Sequence, residues 1–171
     1  MKINKTKLDN VLEIELEPYK DFRGYYLETY NKELYNHNNI KVEFIQDDIS
    51  VSKKNVLRGI HGDNETWKLV SCFYGEFYLI VVNNDPYSNQ YKEWTSFILS
   101  ENKNNQILIP PKFGNGHLVL SDRTIFNYKQ STYYNPQKQF TILWNDPDYN
   151  FDWPIKEPIL SKRDTIGRFE D

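Results

Sequence analysis

The chain has 171 residues, a net charge of −3 and 26% charged residues of mixed sign. That length suits one domain with a substantial core, and the charge balance excludes a polybasic nucleic-acid surface. A single cysteine, Cys72, excludes an internal disulfide framework, and no apolar run approaches the ~18 residues that span a bilayer, so no membrane partner is expected.

Residues 1–10 carry no apolar core of a leader peptide. A cytoplasmic protein is therefore expected. Short β-type runs follow at 11–17, 25–30, 41–52, 67–75, 76–83, 94–100, 106–111, 116–121, 124–131 and 141–145. Several alternate with period two, as half-buried strands do. "FYLIVVN" (77–83) is nearly continuous apolar, which predicts a strand buried on both faces. "NKELYNHNN" (31–39) is the best helix candidate, and the stretch after Trp153 suits a second short helix. The charge-dense tail "SKRDTIGRFED" reads as solvated, and Cys72 as a small buried hydrophobe. Without repeats or linkers, residues 1–171 are expected to form a single β domain of the sandwich, jelly-roll or barrel type.

Four groups of residues can carry chemistry. "VLRGIHGDNETWKLV" (56–70) sets His61, one of only three histidines, between Arg58 and Lys68. Cations close in space disfavour imidazolium, and a neutral imidazole is a competent base at pH 7. A buried carboxylate can orient such a ring, but the residues do not say which of 24 acidic side chains does so. "STYYNPQKQF" offers Tyr133 and Tyr134. "DFRGYYLE" places Arg23, Tyr26 and Glu28 about a turn, where an arginine can hold a phosphate and a tyrosine a ring. His61-x-Asp63 with His117 matches a 2-His-1-carboxylate metal triad, with Arg123 placed for a 2-oxoacid in a jelly-roll oxygenase. There is no His-x-His pair, and "FGNGH" is too short for a phosphate loop.

In order along the chain, six segments resemble the dTDP-4-dehydrorhamnose 3,5-epimerase family. "DFRGYYLE" resembles D-x-R-G-[FY]-[FY]-x-E. "FIQDDISVSKKNVLRGIH" resembles [FV]-x-Q-D-N-x-S-x-S-x-x-x-V-L-R-G-[LI]-H. "WKLVSCFYGEFYLIVVN" resembles Q-G-K-L-V-x-V-x-x-G-E-[VI]-x-D-V-[AV]-V-D. "QILIPPKFGNGHLVLSD" resembles [LI]-x-I-P-x-G-F-A-H-G-F-x-V-L-S. "YKQSTYYNPQKQFTILWNDPDYNFDWP" and "PILSKRD" resemble the closing segments. Together they cover about residues 18–164.

The resemblance implies a cupin-type double-stranded β-helix (jelly roll) with a few short helices, usually a homodimer, using no metal and no organic cofactor. It implies an epimerase of nucleotide-linked 4-keto sugars serving bacterial surface polysaccharides. His61 is then the base, paired with Asp164, and Tyr134 the acid on the opposite ring face. Lys68 stabilises the enolate, and Arg58 and Arg23 bind the diphosphate. Tyr26, Glu28, Gln46 and Asp48 map to the nucleoside end, and N-terminal residues can complete a partner's site. The resemblance leaves open whether C3 alone or both C3 and C5 are inverted.

The sequence departs from the pattern in four places. Asn115 replaces the histidine of F-A-H-G-F, with His117 two residues on. The fourth motif closes on Val82-Asn83, the loop between His61 and Lys68 is shorter, and Q-D-N reads Gln46-Asp47-Asp48. Asn115 and His117 are retained as substrate-side residues. Guanine presents two N–H donors on one edge, which suit a carboxylate, whereas thymine suits an amide. If Asp48 meets the base, a GDP-linked 4-keto-heptose is expected as substrate. The alternative is the dTDP-linked 4-keto-6-deoxyglucose of rhamnose synthesis.

Overall fold

The computed structural model describes residues 1–168, so residues 169–171 of the charged tail lie outside it. Among the described residues there are thirteen strands: β1 (Lys2–Lys5), β2 (Leu12–Glu15), β3 (Tyr19–Asp21), β4 (Gly24–Tyr26), β5 (Gln46–Lys53), β6 (Leu57–Gly62), β7 (Lys68–Tyr74), β8 (Glu76–Asn83), β9 (Trp94–Ser100), β10 (Asn105–Ile109), β11 (Phe113–Val119), β12 (Arg123–Gln130) and β13 (Phe140–Thr141). Two short helices, α1 (Lys32–His37) and α2 (Lys162–Ile166), complete the regular structure with one 3₁₀ turn at Pro136–Lys138. The expected all-β jelly roll is what forms.

A six-stranded sheet runs β1-β2-β10-β7-β12-β5 and faces a five-stranded sheet ordered β13-β6-β11-β8-β9. Period-two alternation decides which side chains meet between them. Val70 and Cys72 of β7, Ile107 and Ile109 of β10, and Phe126 of β12 pack against Phe77, Leu79 and Val81 of β8. Burial pushes the Cys72 thiol up to about 12, so it behaves as the expected small hydrophobe.

The apolar run of β8 has the predicted two-sided burial. Its alternate residues Ile80 and Val82 face outward, where Ile142, Trp153, Trp144 and Phe151 of the C-terminal segment cover them. The six-stranded sheet is covered only in part. Ile14, Leu69 and Leu108 are sealed by Tyr35 of α1 and by Ile40. Asn31 caps α1, its side chain accepting from the N–H groups of Glu33 and Leu34.

The sequence and the structure differ locally. The run at 25–30 is a strand only to Tyr26, and the run at 41–52 is strand only from Gln46. The segment that carries His61 is a full strand, β6, although Gly59 and Gly62 hide its periodicity. Among the described residues no helix is long and apolar enough to cross a membrane.

Candidate active site

At one end of the sandwich, side chains from both sheets line a pocket of about 260 Å³. Whole drug-sized ligands fill roughly 300–1,000 Å³, so this volume suits a sugar ring, with the rest of a nucleotide sugar lying across the open mouth. Arg58 and His61 of β6, Lys68 of β7, Asn115 and His117 of β11, Tyr134, Arg163 and Asp164 all reach it.

Arg58 and His61 are three residues apart, and in a regular strand they would face opposite ways. A bulge prevents that. His61 pairs with Asn115 but Arg58 pairs with His117, so β6 spends one residue more than β11 over the same span. Gly59 absorbs the distortion at φ +123°, and a Cβ there would sit 2.4 Å from the Cα of Gly116. Only glycine fits, which gives the R-G-[LI]-H pattern its physical reason.

The His61 Nε2 lies 2.6 Å from Oδ1 of Asp164. A carboxylate only accepts, so Nε2 carries the hydrogen and Nδ1 keeps its lone pair. Asp164 is buried, receives the Ser161 hydroxyl on Oδ2 at 2.8 Å and also accepts the Gly59 N–H. Burial pushes its carboxyl up, but the bonds from His61, Ser161 and Gly59 outweigh that and hold it below the usual range. Ser161 also caps α2, accepting the Asp164 N–H, so the cap that starts the helix aims the carboxylate.

His61 titrates below the ordinary imidazole value, chiefly through burial. Asp164 opposes that shift, while the charges of Arg163 and Lys68 reinforce it. The cation expected from Arg58 is instead supplied by Arg163. Lys68 is buried and donates to Asn115 Oδ1 at 3.1 Å and to the His61 carbonyl at 3.4 Å. Burial brings its ammonium down to about 8, which leaves it charged at neutral pH.

Tyr134 lines the pocket at 45% exposure, whereas Tyr133 is 74% exposed and lines a separate depression with Asp63 and Glu65. Gln46 and Asp48 stand behind Tyr134 rather than in the pocket. Gln46 Oε1 accepts the Tyr134 N–H at 2.8 Å, and Asp48 Oδ2 accepts from the amides of Gln46 and Gln130. His117 is stacked on Phe126 at 4.1 Å with its Nε2 unpartnered among the described residues, and burial pushes its pKa down to about 3.

Arg23, Tyr26 and Glu28 are not brought to this pocket. Among the described residues β3 and β4 pair only with each other, both are exposed along their length, and Arg23 is ion-paired to Asp21. Phe22 at the hairpin tip is 98% exposed. The metal triad is not assembled either. Asp63 turns its carboxylate to the N–H groups of Glu65 and Thr66 and to Gln139, and no three metal-ligating side chains gather among the described residues. Sequence reasoning missed Arg163, Ser161 and Gln139. Adjacency to Asp164 in "SKRD" was the only signal available for the first two.

The family model for dTDP-4-dehydrorhamnose 3,5-epimerase matches residues 5–170. A protein of that name from Methanothermobacter thermautotrophicus is 40% identical over 165 residues, covering 94% of this chain and 89% of its own. One from Salmonella typhimurium is 38% identical over 176 residues, covering 100% and 96%. The crystal structure of dTDP-6-deoxy-D-glucose-3,5-epimerase from Legionella pneumophila, in complex with dTDP-4-keto-L-rhamnose, superposes with a TM-score of 0.93 at 35% identity, covering 98% of this chain and 91% of that one. These relatives favour dTDP over the GDP-linked heptose expected from Asp48. The geometry gives a reason: the Asp48 carboxylate is engaged by two side-chain amides that brace the Tyr134 segment.

Proposed function

This chain belongs to the dTDP-4-dehydrorhamnose 3,5-epimerase family, and on that premise we propose that it inverts C3 and C5 of a dTDP-linked 4-keto-6-deoxyglucose. Carbohydrate epimerisation itself follows from the family. The observation that carries the fuller reading is the His61–Asp164 pair, which shares one pocket with Lys68 and Tyr134.

The 4-keto group acidifies C3–H and C5–H. Nδ1 of His61 takes the proton, and Asp164 holds the ring and stabilises the imidazolium that forms. Negative charge moves to O4, where the Lys68 ammonium stabilises it in a site shielded from water. Tyr134 returns a proton from the opposite face, which inverts the centre. Arg58, whose Nε is steadied by Ser52 Oγ at 3.0 Å, binds the diphosphate at the pocket mouth. No cofactor is required by this chemistry. The product supplies deoxysugar for surface polysaccharide, in a cytoplasmic setting that the free buried thiol of Cys72 suits.

The working unit of this proposal is a homodimer. The six-stranded sheet leaves Ile49, Val51 and Phe73 exposed on its outer face, and the β3–β4 hairpin extends Arg23 and Tyr26 away from their own pocket. A second copy on that face covers the apolar side chains, and its hairpin delivers the partner's Arg23, Tyr26 and Glu28 to the nucleotide. The nucleotide and the positions are tested together by proton NMR of dTDP- and GDP-linked 4-keto sugars in D₂O with the protein. Loss of signal at C3 and C5 of the dTDP sugar supports the reading, and turnover of the GDP sugar alone contradicts it.

A further inference from the structure

Among the described residues, three buried side-chain atoms lack a hydrogen-bond partner: Ser50 Oγ, Asn105 Oδ1 and His117 Nε2. Of these residues, Ser50 and His117 line the active-site pocket. They flank one ring. Ser50 stands opposite Phe126 in the register of β12 on β5, and the His117 imidazole stacks on Phe126 at 4.1 Å. Burial holds His117 neutral, so its ring offers one N–H and one lone pair, and a serine hydroxyl likewise both donates and accepts. Buried polar groups are nearly always paired, and each exception calls for a reason. His117 is the more pointed exception, because the family pattern has phenylalanine there, which needs no partner.

The neighbours of these two residues show which part of the sugar meets them. Asn115 and His117 share a face of β11. Asn115 pairs with His61 and His117 pairs with Arg58. Arg58 is also tied to the Ser50 face of β5: its Nε donates to Ser52 Oγ at 3.0 Å, two residues along from Ser50. In the proposed function Arg58 holds the diphosphate carried by C1, and His61 faces C3–H. The carbon between those two is C2. Resting on that reading, we infer that Ser50 and His117 form the subsite for the C2 hydroxyl of the 4-keto sugar and select for sugars that keep it. A hydroxyl donates and accepts, so it satisfies two groups of this kind at once. The ring oxygen and the 4-keto oxygen only accept, and the C6 methyl does neither. The C3 hydroxyl changes side when C3 inverts. C2 keeps its configuration, so a contact there survives both inversions and anchors the ring while C3 and C5 are presented to His61. A neutral imidazole also suits a hydroxyl, whereas the charge of the diphosphate calls for the guanidinium of Arg58.

The test measures kcat/KM by NMR in D₂O on dTDP-4-keto-6-deoxyglucose and on its 2-deoxy analogue, for wild type, His117→Phe, His117→Gln and Ser50→Ala. Wild type should prefer the hydroxylated sugar by about 10–100-fold, because the analogue leaves the groups that pair with the hydroxyl unpaired. In His117→Phe that preference should shrink to within a few-fold of parity, and in Ser50→Ala it should shrink in part. His117→Gln keeps a donor and an acceptor and should retain more of the preference than His117→Phe. Phenylalanine is the family's own residue at this position, and Ser50→Ala removes a single oxygen, so loss of the fold does not stand in for the effect. Equal turnover of the two sugars by wild type, or a preference in His117→Phe as large as that of wild type, overturns this inference alone and leaves the epimerisation standing. A wild-type protein that acts on neither sugar overturns the proposed function, and this inference with it.

Discussion

His61 Nε2 and Asp164 Oδ1 meet at 2.6 Å across 103 residues of chain. The bulge that turns His61 inward and the Ser161 cap that turns Asp164 inward are built independently, and they converge on this one bond. Asp164→Asn keeps the volume and replaces a charge with an amide. The far-UV circular dichroism should be unchanged, and kcat should fall about 10²–10⁴-fold, because the imidazole loses both its fixed tautomer and its counter-ion. A kcat within a few-fold of wild type would mean that the pair is only structural.

The pH profile follows from the same groups. His61 acts only when neutral, and its pKa is lowered, chiefly by burial. The acidic limb of kcat/KM should therefore lie below the ordinary imidazole value of about 6.5. Lys68 acts only when charged and titrates at about 8, so activity should decline above that pH. In Asp164→Asn the acidic limb should move lower still, since Asp164 is what raises the His61 value. Rate measurements across pH 4–10 check both limbs and the sign of that displacement.

Much of this arrangement is legible in the residues, and the reasons for the rest are local. The two-sided burial of β8 is written in its continuous apolar run, and α1 in its Asn31 cap. The pairing of His61 with Asp164 came from the ordered motifs, not from periodicity, because 103 residues separate them. β6 was hidden because Gly59 and Gly62 interrupt its alternation. Asp48 read as a reader of the base, yet the register of β12 on β5 sets Tyr128 opposite it and Gln130 opposite Gln46, and the amides of both glutamines bond the carboxylate. Arg163 could not be assigned from sequence, because its place in the pocket depends on where α2 lands against β13.

His117 stands where the family pattern has phenylalanine. It stacks on Phe126 with Nε2 buried and, among the described residues, unpartnered, and burial brings its pKa to about 3. The folded protein keeps it neutral, whereas the unfolded chain protonates it below about pH 6.5. The unfolded state then binds more protons, so stability falls as pH drops from about 6.5 toward about 3. His117→Phe should stabilise the fold by about 1–2 kcal/mol at pH 7 by removing the unpaired nitrogen. It should also lose less stability than wild type between pH 7 and pH 5. Urea unfolding at the two pH values measures both. A destabilised His117→Phe protein would show that the nitrogen has a partner.

The dimer reading has its own assay. Arg23→Ala and His61→Ala should each be inactive or nearly so as pure proteins. If Arg23 serves the partner's pocket, unfolding and refolding them together gives mixed dimers with one intact site. Statistical pairing then restores roughly a quarter of wild-type activity. If Arg23 serves its own pocket, the mixture stays inactive.

The most direct measurement of the central claim is solvent exchange at the sugar. A dTDP-linked 4-keto-6-deoxyglucose is incubated in D₂O with wild type and with His61→Ala, and the C3 and C5 protons are followed by NMR. The account predicts that wild type places deuterium at both carbons and accumulates the inverted sugar, while His61→Ala, folded and still binding dTDP, does neither. Deuterium incorporation that survives in His61→Ala at the wild-type rate would contradict it, because another group would then be the base.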